Sequence, residues 1–294
     1  MSMSKRTRAE LFLLLITVVW GSTFVVTKFV LSESSPFLYT AIRFTVATVI
    51  SAALFFPRLR SMGRDSIFRG AVLGVLLFIG FATQTVGLQY TTPSKSAFIT
   101  GMMVVFTPIC QLFIEKRSPR MGNVIGVVLV LIGLYFLTSP TGSKFNYGDG
   151  LTLVCALSFA FYIVALDIFS QDCEAIHLTF TQFVTTAILS VLGFLMFEDY
   201  HVHFSQGFVF AVGYLAVFAT VIALFVQAKY QKDTTPTRSA IVFSVEPVIA
   251  AVFAYFVLAE HIGNEGIAGA VFIMFGIIIS EFSDLLFSAP EASQ

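Results

Sequence analysis

The chain has 294 residues, of which 57% are hydrophobic and 12% are charged, and its formal net charge is zero. A soluble protein of this composition would expose large apolar patches, so the composition favours a protein that is solvated by the lipid bilayer. The three cysteines are widely spaced and indicate neither a disulfide framework nor a metal site, and no basic surface for nucleic acid is evident. No cofactor is expected.

Ten apolar runs follow one another along the chain with short gaps between them. Each is close to the ~20 residues that a helix needs to cross a bilayer, and none alternates with the period of a barrel strand. The first run is too long for a cleaved signal peptide, so we expect it to be retained. We predict an all-α membrane protein with ten transmembrane helices, at roughly 10–31, 37–56, 68–90, 94–114, 122–138, 148–170, 178–197, 206–230, 235–257 and 263–282.

Basic residues are distributed unevenly between the predicted loops. Most of the 17 lysines and arginines precede the first span or lie in or beside the loops after spans 2, 4 and 8. Basic loops remain on the cytoplasmic side of a membrane. We therefore predict that the N- and C-termini are both cytoplasmic.

A seven-residue phrase occurs twice, as TTPSKSA at 91–97 and as TTPTRSA at 234–240, with five identical residues. The first copy begins span 4 at the outer side, and the second begins span 9 at the inner side. Each half has five spans, an odd number, so the second half enters the membrane in the opposite orientation. We predict a 5+5 inverted repeat around a central cavity, with halves at 1–140 and 141–294, an arrangement typical of secondary transporters.

The repeated phrase has the sequence of a helix N-terminus. A threonine can cap the helix, and a proline suits its first turn. The cation that follows, Lys95 in one copy and Arg238 in the other, is unexpected because a helix N-terminus disfavours positive charge. Two interpretations remain open: both side chains are interfacial anchors that extend to lipid headgroups, or they are mirrored gate charges that attract an anionic group.

Glu246 lies at the midpoint of span 9, in FSVEPVIAA. A carboxylate at the bilayer centre costs at least ~2.5 kcal/mol on insertion scales, so a compensating role is expected. The acid either faces a cavity, where it carries a proton or contacts an amine, or is protonated or hydrogen-bonded and stabilises helix packing. Pro247 weakens the helix beside it, and Pro108 lies at a similar depth in span 4. Two helices interrupted at matching depths predict a binding site at the membrane midplane.

Other polar and aromatic side chains lie at membrane depth in spans that correspond between the halves. Trp20, the only tryptophan, is in the middle of span 1 near Ser22, and Tyr162 is in the corresponding span 6. Trp20 and its small neighbours form either a cavity wall or a close helix contact. Gln84 in span 3 and Gln227 in span 8 are amides that need a hydrogen-bond partner or water.

Four further residues are weaker candidates. Thr100 and Met103 in span 4 and Thr220 in span 8 are interpreted mainly as packing residues. Arg43 lies about two turns into span 2 and is interpreted as a long side chain that reaches the outer face.

Three long segments carry a family resemblance: WGSTFVVTKFVLSESSPFLYTAIRF at 20–44, GLQYTTPSKSAFITGMMVVFTP at 87–108 and SAIVFSVEPVIAAVFAYFVLAEHI at 239–262. They resemble the opening, the third and fourth helices, and the ninth helix of EamA-type members of the drug/metabolite transporter (DMT) superfamily. The last segment includes the family's Glu-Pro pair and, at the helix end, Glu260. The resemblance covers nearly the whole chain.

The resemblance implies an inner-membrane carrier of small metabolites, often an exporter of amino acids or related compounds. It also implies a central cavity among spans 1, 3, 4, 6, 8 and 9. Relatives that handle aromatic amino acids carry additional aromatic residues where this chain has FATQ and TGMM, so the resemblance does not imply a specifically aromatic substrate. The matching substrate-binding positions in this chain are Trp20, Ser22, Gln84, Thr100, Met103, Tyr162, Gln227 and Glu246.

The leading hypothesis is a secondary transporter that exports small metabolites by alternating access, with proton coupling through Glu246. An uncoupled facilitative carrier, or uniporter, is the alternative. A membrane-embedded enzyme or a lipid-handling protein is a remote third, because no nucleophile–base pair or metal cluster is evident. The expected partners are a small-molecule substrate, membrane lipid and, if transport is coupled, protons.

Overall fold

The computed structural model describes residues 4–116, 119, 121–138, 145–259 and 263–287, and the predicted Glu260 lies outside these ranges. The described residues form helices and no named β-strand. A π-helix, Val217–Ile222, and a 3-10 turn, Gln231–Asp233, join three of the helices. The α-helices are α1 (Lys5–Val30), α2 (Pro36–Leu59), α3 (Arg64–Tyr90), α4 (Pro93–Gly101), α5 (Met103–Glu115), α6 (Met121–Thr138), α7 (Tyr147–Asp172), α8 (Ala175–Phe197), α9 (Gln206–Ala216), α10 (Ala223–Tyr230), α11 (Pro236–Phe243), α12 (Glu246–Leu258) and α13 (Asn264–Phe287).

The apolar helices agree with the predicted spans. By length and composition, eight helical segments of the described chain can cross a membrane. Two shorter apolar stretches, Met121–Phe136 in α6 and Asn264–Ser280 in α13, lie at the fifth and tenth predicted spans. The prediction of an all-α membrane protein is therefore confirmed.

Polar and apolar side chains are distributed as in a protein that is surrounded by lipid. Phe113, Phe210 and Phe256 are each more than three-quarters exposed, whereas Gln182 and Gln231 are completely buried. A surface with so many exposed large apolar side chains would associate in water. In a bilayer the same surface is solvated by lipid tails, and polar side chains are retained inside the bundle.

Direct backbone contact joins α6 to α13. A β-carbon at Gly126 would lie 2.9 Å from the Gly276 carbonyl oxygen, and one at Gly133 would lie 2.6 Å from the Gly269 carbonyl oxygen. Small residues allow membrane helices to approach this closely. The fifth and tenth predicted spans, one from each predicted half, therefore pack as a pair.

Three spans are interrupted along their length. Met102 separates α4 from α5, and Ser244 and Val245 separate α11 from α12. In the eighth predicted span, the π-helix lies between α9 and α10. Interruptions and π-helical turns inside membrane helices are frequent at functional sites.

The two predicted helix-breaking prolines differ in their positions relative to these interruptions. Pro247 lies in the first turn of α12, where its missing N–H is not needed. Pro108 lies inside α5, so span 4 is interrupted at Met102 and not at this proline. The spacing of the repeated phrase relates Met103, the first residue of α5, to Glu246, the first residue of α12.

Candidate functional site

A cavity lies between the helices and reaches the interrupted segments. It contains about 520 Å³ of space between atoms, part of it open to solvent. The lining residues come from eight helices and are Trp20, Thr23, Arg43, Leu77, Phe81, Gln84, Met103, Phe159, Tyr162, Ile163, Leu224, Gln227, Phe243 and Glu246.

The lining includes six of the eight predicted substrate-binding residues, namely Trp20, Gln84, Met103, Tyr162, Gln227 and Glu246. Ser22 is not part of the lining, and its hydroxyl oxygen lies 2.7 Å from that of Tyr214 on α9. Thr100 is not part of it either, but its hydroxyl accepts a 3.1 Å hydrogen bond from the Gln84 amide. Thr100 therefore orients a lining residue without facing the cavity itself.

Much of the cavity wall is aromatic. Trp20 packs edge to face on Phe243, with ring centroids 5.4 Å apart, and its indole N–H donates a 3.0 Å hydrogen bond to the Ala219 carbonyl of the π-helix. Phe81 and Phe159 form a second edge-to-face pair, also with centroids 5.4 Å apart. Such pairs hold the rings in defined orientations and offer a fixed apolar surface to a ligand.

Glu246 is the carboxylate of the cavity. It is the first residue of α12, it follows the interruption directly, and it is only 9% exposed. Within the described residues, its side chain forms no hydrogen bond or ion pair. The N-terminus of α12 favours negative charge at this position. Because it has no hydrogen-bond or ion-pair partner among the described residues, the carboxylate is available to a proton or to a cationic group of a ligand.

Arg43 is the cation of the cavity, and its interpretation as a side chain that reaches the outer face is wrong. It is 3% exposed. Its Nε donates a 2.7 Å hydrogen bond to the Thr220 hydroxyl, and its Nη1 donates a 3.1 Å hydrogen bond to the Tyr39 hydroxyl. The guanidinium carbon also lies 4.7 Å from the ring centroid of Phe81. These groups from three other positions solvate the cation inside the bundle, which explains why it does not extend outward.

The first copy of the repeated phrase forms an ion pair with the start of α7. Lys95 Nζ lies 2.6 Å from Asp149 Oδ2, and Asp149 is completely buried. Thr91 donates a 2.9 Å hydrogen bond from its hydroxyl to Asp149 Oδ1. Thr92 caps α4 by accepting a 3.2 Å hydrogen bond from the Lys95 backbone N–H. The phrase thus supplies the cap of α4, and it also supplies a cation and a hydroxyl donor that both contact the Asp149 carboxylate.

The second copy forms the corresponding contacts with α1. Arg238 Nε lies 2.7 Å from Glu10 Oε1, and both side chains are less than one-tenth exposed. Thr234 donates a 2.9 Å hydrogen bond to the same Oε1 atom. Thr235 caps α11 by accepting a 3.3 Å hydrogen bond from the Arg238 backbone N–H. Both cations are therefore held by carboxylates of other helices instead of extending to lipid headgroups.

The two ion pairs lie at opposite ends of α1. Glu10, in the second turn of α1, contacts the second copy of the phrase. Lys28, in the last turn, donates hydrogen bonds to the carbonyls of Leu88 and Thr91, beside the first copy. At 1.5 Å per residue, Glu10 and Lys28 are roughly 27 Å apart along the helix. The cavity lining residues Trp20 and Thr23 lie between them.

The chain matches one protein family in two consecutive segments. Residues 7–139 and residues 146–282 each match the EamA-like transporter family. The chain belongs to this family. The matches extend over most of the chain. They confirm the resemblance to the DMT superfamily that is seen in the segments at 20–44, 87–108 and 239–262.

EamA-like relatives match over nearly their whole length. An uncharacterized transporter from Archaeoglobus fulgidus is 34% identical over 275 residues, covering 94% of this chain and 86% of the relative. The uncharacterized transporter YcxC from Bacillus subtilis is 26% identical and covers 95% and 94%. The uncharacterized inner membrane transporter YedA from Escherichia coli is 22% identical and covers 89% and 85%.

A solved crystal structure has the same fold as this EamA-like chain. The two superpose with a TM-score of 0.78, covering 97% of this chain and all of the other, at 18% sequence identity. Together with the apolar helices and the transporter relatives, this makes the chain an integral membrane protein and a membrane transporter. The family and the names of its relatives indicate transport rather than enzymatic catalysis.

Proposed function

We propose that this EamA-like protein is a secondary transporter that exports small amphipathic metabolites, such as amino acids or related compounds, by proton-coupled alternating access. The observation that carries the proposal is a cavity with aromatic and charged lining residues, which lies between two ion pairs at opposite ends of α1. The cavity combines an aromatic wall with a carboxylate at a helix interruption, which suits a ligand with an apolar and a charged part.

The proposed organisation is an inverted repeat of five spans at 1–140 and five at 141–294, in a bacterial inner membrane with both termini in the cytoplasm. The two separate family matches and the two copies of the phrase at opposite ends of α1 support the repeat. The basic loops support the orientation. Lys95 then lies toward the outer face and Arg238 toward the cytoplasm.

The two ion pairs are the proposed gates. Each joins one half to the other, because Lys95 of α4 contacts Asp149 of α7 and Arg238 of α11 contacts Glu10 of α1. Both pairs are formed in the same structure. Separation of one pair while the other persists would connect the cavity to one side of the membrane only, which is the requirement of alternating access.

Glu246 is the proposed coupling residue. Its carboxylate is in the cavity, close to the interruption between α11 and α12, so a change in its charge acts on the helix that carries the inner gate cation. Binding of a proton neutralises this charge in a poorly solvated site. Proton binding and substrate binding at the same carboxylate would then compete, which links the two fluxes.

Transport assays in proteoliposomes test the proposal. A panel of amino acids and related metabolites is offered with and without an imposed proton gradient, and we expect gradient-dependent accumulation of at least one compound. In Glu246→Gln we expect this accumulation to be lost, whereas Asp65→Asn, at an exposed acid in the first turn of α3, should retain it. Equilibration without gradient dependence would instead indicate a uniporter, and a chemically altered product would indicate an enzyme.

A further inference from the structure

The interior cation Arg43 differs from three cations of the structure that form ion pairs. Arg238 is held by Glu10, Lys95 by Asp149 and Arg69 by Asp172, in ion pairs of 2.6 to 2.8 Å. Arg43 is 3% exposed, yet no carboxylate of the described residues lies within ion-pair distance of it. A charge at membrane depth without a counter-ion is costly and marks a functional position.

The known contacts of Arg43 use only part of its hydrogen-bonding capacity. A guanidinium carries five N–H donors in a planar fork. Nε donates to the Thr220 hydroxyl and Nη1 to the Tyr39 hydroxyl, both neutral acceptors. Among the described residues, Nη2 has no hydrogen-bond partner, and Arg43 is part of the cavity lining. Donors therefore remain for a ligand in the cavity.

The surroundings of Arg43 fix its position in advance. Thr220 lies in the π-helix and donates its own hydroxyl hydrogen to the Leu215 carbonyl at 2.8 Å, which leaves the oxygen lone pairs for Arg43 Nε. Phe81 covers one side of the guanidinium at 4.7 Å. A π-helical turn that orients a hydroxyl toward an interior cation has a positioning role here. A cation held in this way loses little freedom when it binds an anion.

Glu246 provides the complementary charge in the same cavity. Arg43 and Glu246 do not form an ion pair with each other, and neither has a charged partner among the described residues. A ligand with one anionic and one cationic group satisfies both residues at once. Aromatic side chains such as Trp20 and Phe159 line the same space and can contact an apolar part of the ligand.

We propose that Arg43 binds the carboxylate of the transported molecule and makes the cavity selective for carboxylates, above all for zwitterions with an apolar body. This inference rests on the proposed transport function and specifies the substrate chemistry of the same site. Arg43 acts through its free guanidinium edge, and Thr220 acts as the positioning residue that holds the guanidinium.

The test uses the full-length protein in proteoliposomes and the α-amino acid that it transports best. Four analogues with the same side chain are compared: the amino acid, its amide, the amine that lacks the carboxylate, and the acid that lacks the amine. In the unmodified protein we expect the amide and the amine to compete at least about tenfold less well than the amino acid, since they lose a charge-assisted hydrogen bond. Equal competition by amine and amino acid would overturn the proposal.

Variants then assign the effect to Arg43. Arg43→Gln should raise the KM of the amino acid about tenfold or more and abolish its advantage over the amide, while Arg43→Lys should restore part of it. Arg69→Gln, which removes a cation from an exposed pair at the far end of α3, should change neither value. If Arg43→Gln reduces transport of the amino acid and the amine by the same factor, Arg43 is structural and the proposal is refuted.

The failure of this inference is distinguishable from the failure of the proposed function. If uncharged or purely cationic compounds are transported and compounds with a carboxylate are not, the proposed transport function is retained and the assignment of Arg43 is wrong. If no compound of the panel crosses the membrane in any form, both fail. Thr220→Val, which keeps the cation and removes its positioning acceptor, should raise the KM of the amino acid by a smaller factor than Arg43→Gln.

Discussion

Neutralising Glu10 should open the cavity toward the cytoplasm. In Glu10→Gln, Arg238 loses its 2.7 Å ion pair with Glu10 but remains buried, with a side chain 6% exposed and a 2.9 Å hydrogen bond to the Ser280 carbonyl. Removal of one member of a buried ion pair costs about 3–5 kcal/mol. The Glu10–Arg238 pair stabilises only the arrangements in which it is formed. Its loss should therefore shift the equilibrium between these arrangements and the inward-open one toward the inward-open one, by about 100-fold or more.

Neutralising Asp149 should have the opposite and smaller effect. Lys95 is 22% exposed, so water can solvate it after the charge of its partner is removed. An asparagine at position 149 can still accept the hydrogen bond from Thr91. Partly exposed pairs contribute roughly 1 kcal/mol or less, so we expect a shift toward the outward-open arrangement of about fivefold.

A cysteine in the cavity reports which side is open. Thr23→Cys is introduced into a background without the three native cysteines and is labelled with a membrane-impermeant maleimide. Glu10→Gln should accelerate labelling in inside-out vesicles, and Asp149→Asn should accelerate it in right-side-out vesicles. Asp172→Asn is the control, because its pair with Arg69 is exposed and outside the cavity. Equal acceleration from both sides, or none in Glu10→Gln, would refute the assignment of the ion pairs as gates.

Two further substitutions probe the packing around the site. Trp20→Phe removes the 3.0 Å hydrogen bond to the Ala219 carbonyl of the π-helix and should destabilise the protein by about 0.5–1.5 kcal/mol, measured as a lower thermal unfolding temperature in detergent; an unchanged temperature would contradict this. Gly133→Ala places a β-carbon 2.6 Å from the Gly269 carbonyl oxygen and should cost about 1–3 kcal/mol in the same assay. Gly213→Ala is the control and should be tolerated, because no described atom of another part of the chain lies within 4 Å of the added β-carbon.

The sequence predicts the helices well because bilayer thickness fixes the length of an apolar run. It also predicts much of the cavity lining, since a polar side chain such as Gln84 or Gln227 inside an apolar span must face the protein interior. Helical periodicity distinguishes Ser22 from Thr23. Residues three apart share a helix face, so Thr23 lies on the cavity side with Trp20, whereas Ser22 points to α9.

The remaining features depend on contacts between distant parts of the chain. Arg43 meets Thr220 across 177 sequence positions, and Thr220 lies in a π-helical turn that the sequence does not predict. Glu10 and Arg238 are 228 positions apart. The sequence shows that Arg43, Glu10 and Arg238 are charged residues in or beside apolar spans. It does not show which other helix supplies the partner of each. The interruption at Met102 directly follows Gly101, the last residue of α4, but an isolated glycine is tolerated inside a helix and does not by itself predict an interruption.

The ion pairs also account for the unusual cation in the repeated phrase. Lys95 lies in the first turn of α4, where the helix dipole disfavours positive charge by about 0.3–1 kcal/mol. Asp149 lies in the first turn of α7, where the dipole favours its negative charge. Separation of the pair therefore removes the carboxylate that offsets the dipole at Lys95, and water or an anionic group of a ligand can take its place. An anionic group on the ligand would therefore favour separation of the Lys95–Asp149 pair. The same anionic group is the one that Arg43 is proposed to bind inside the cavity.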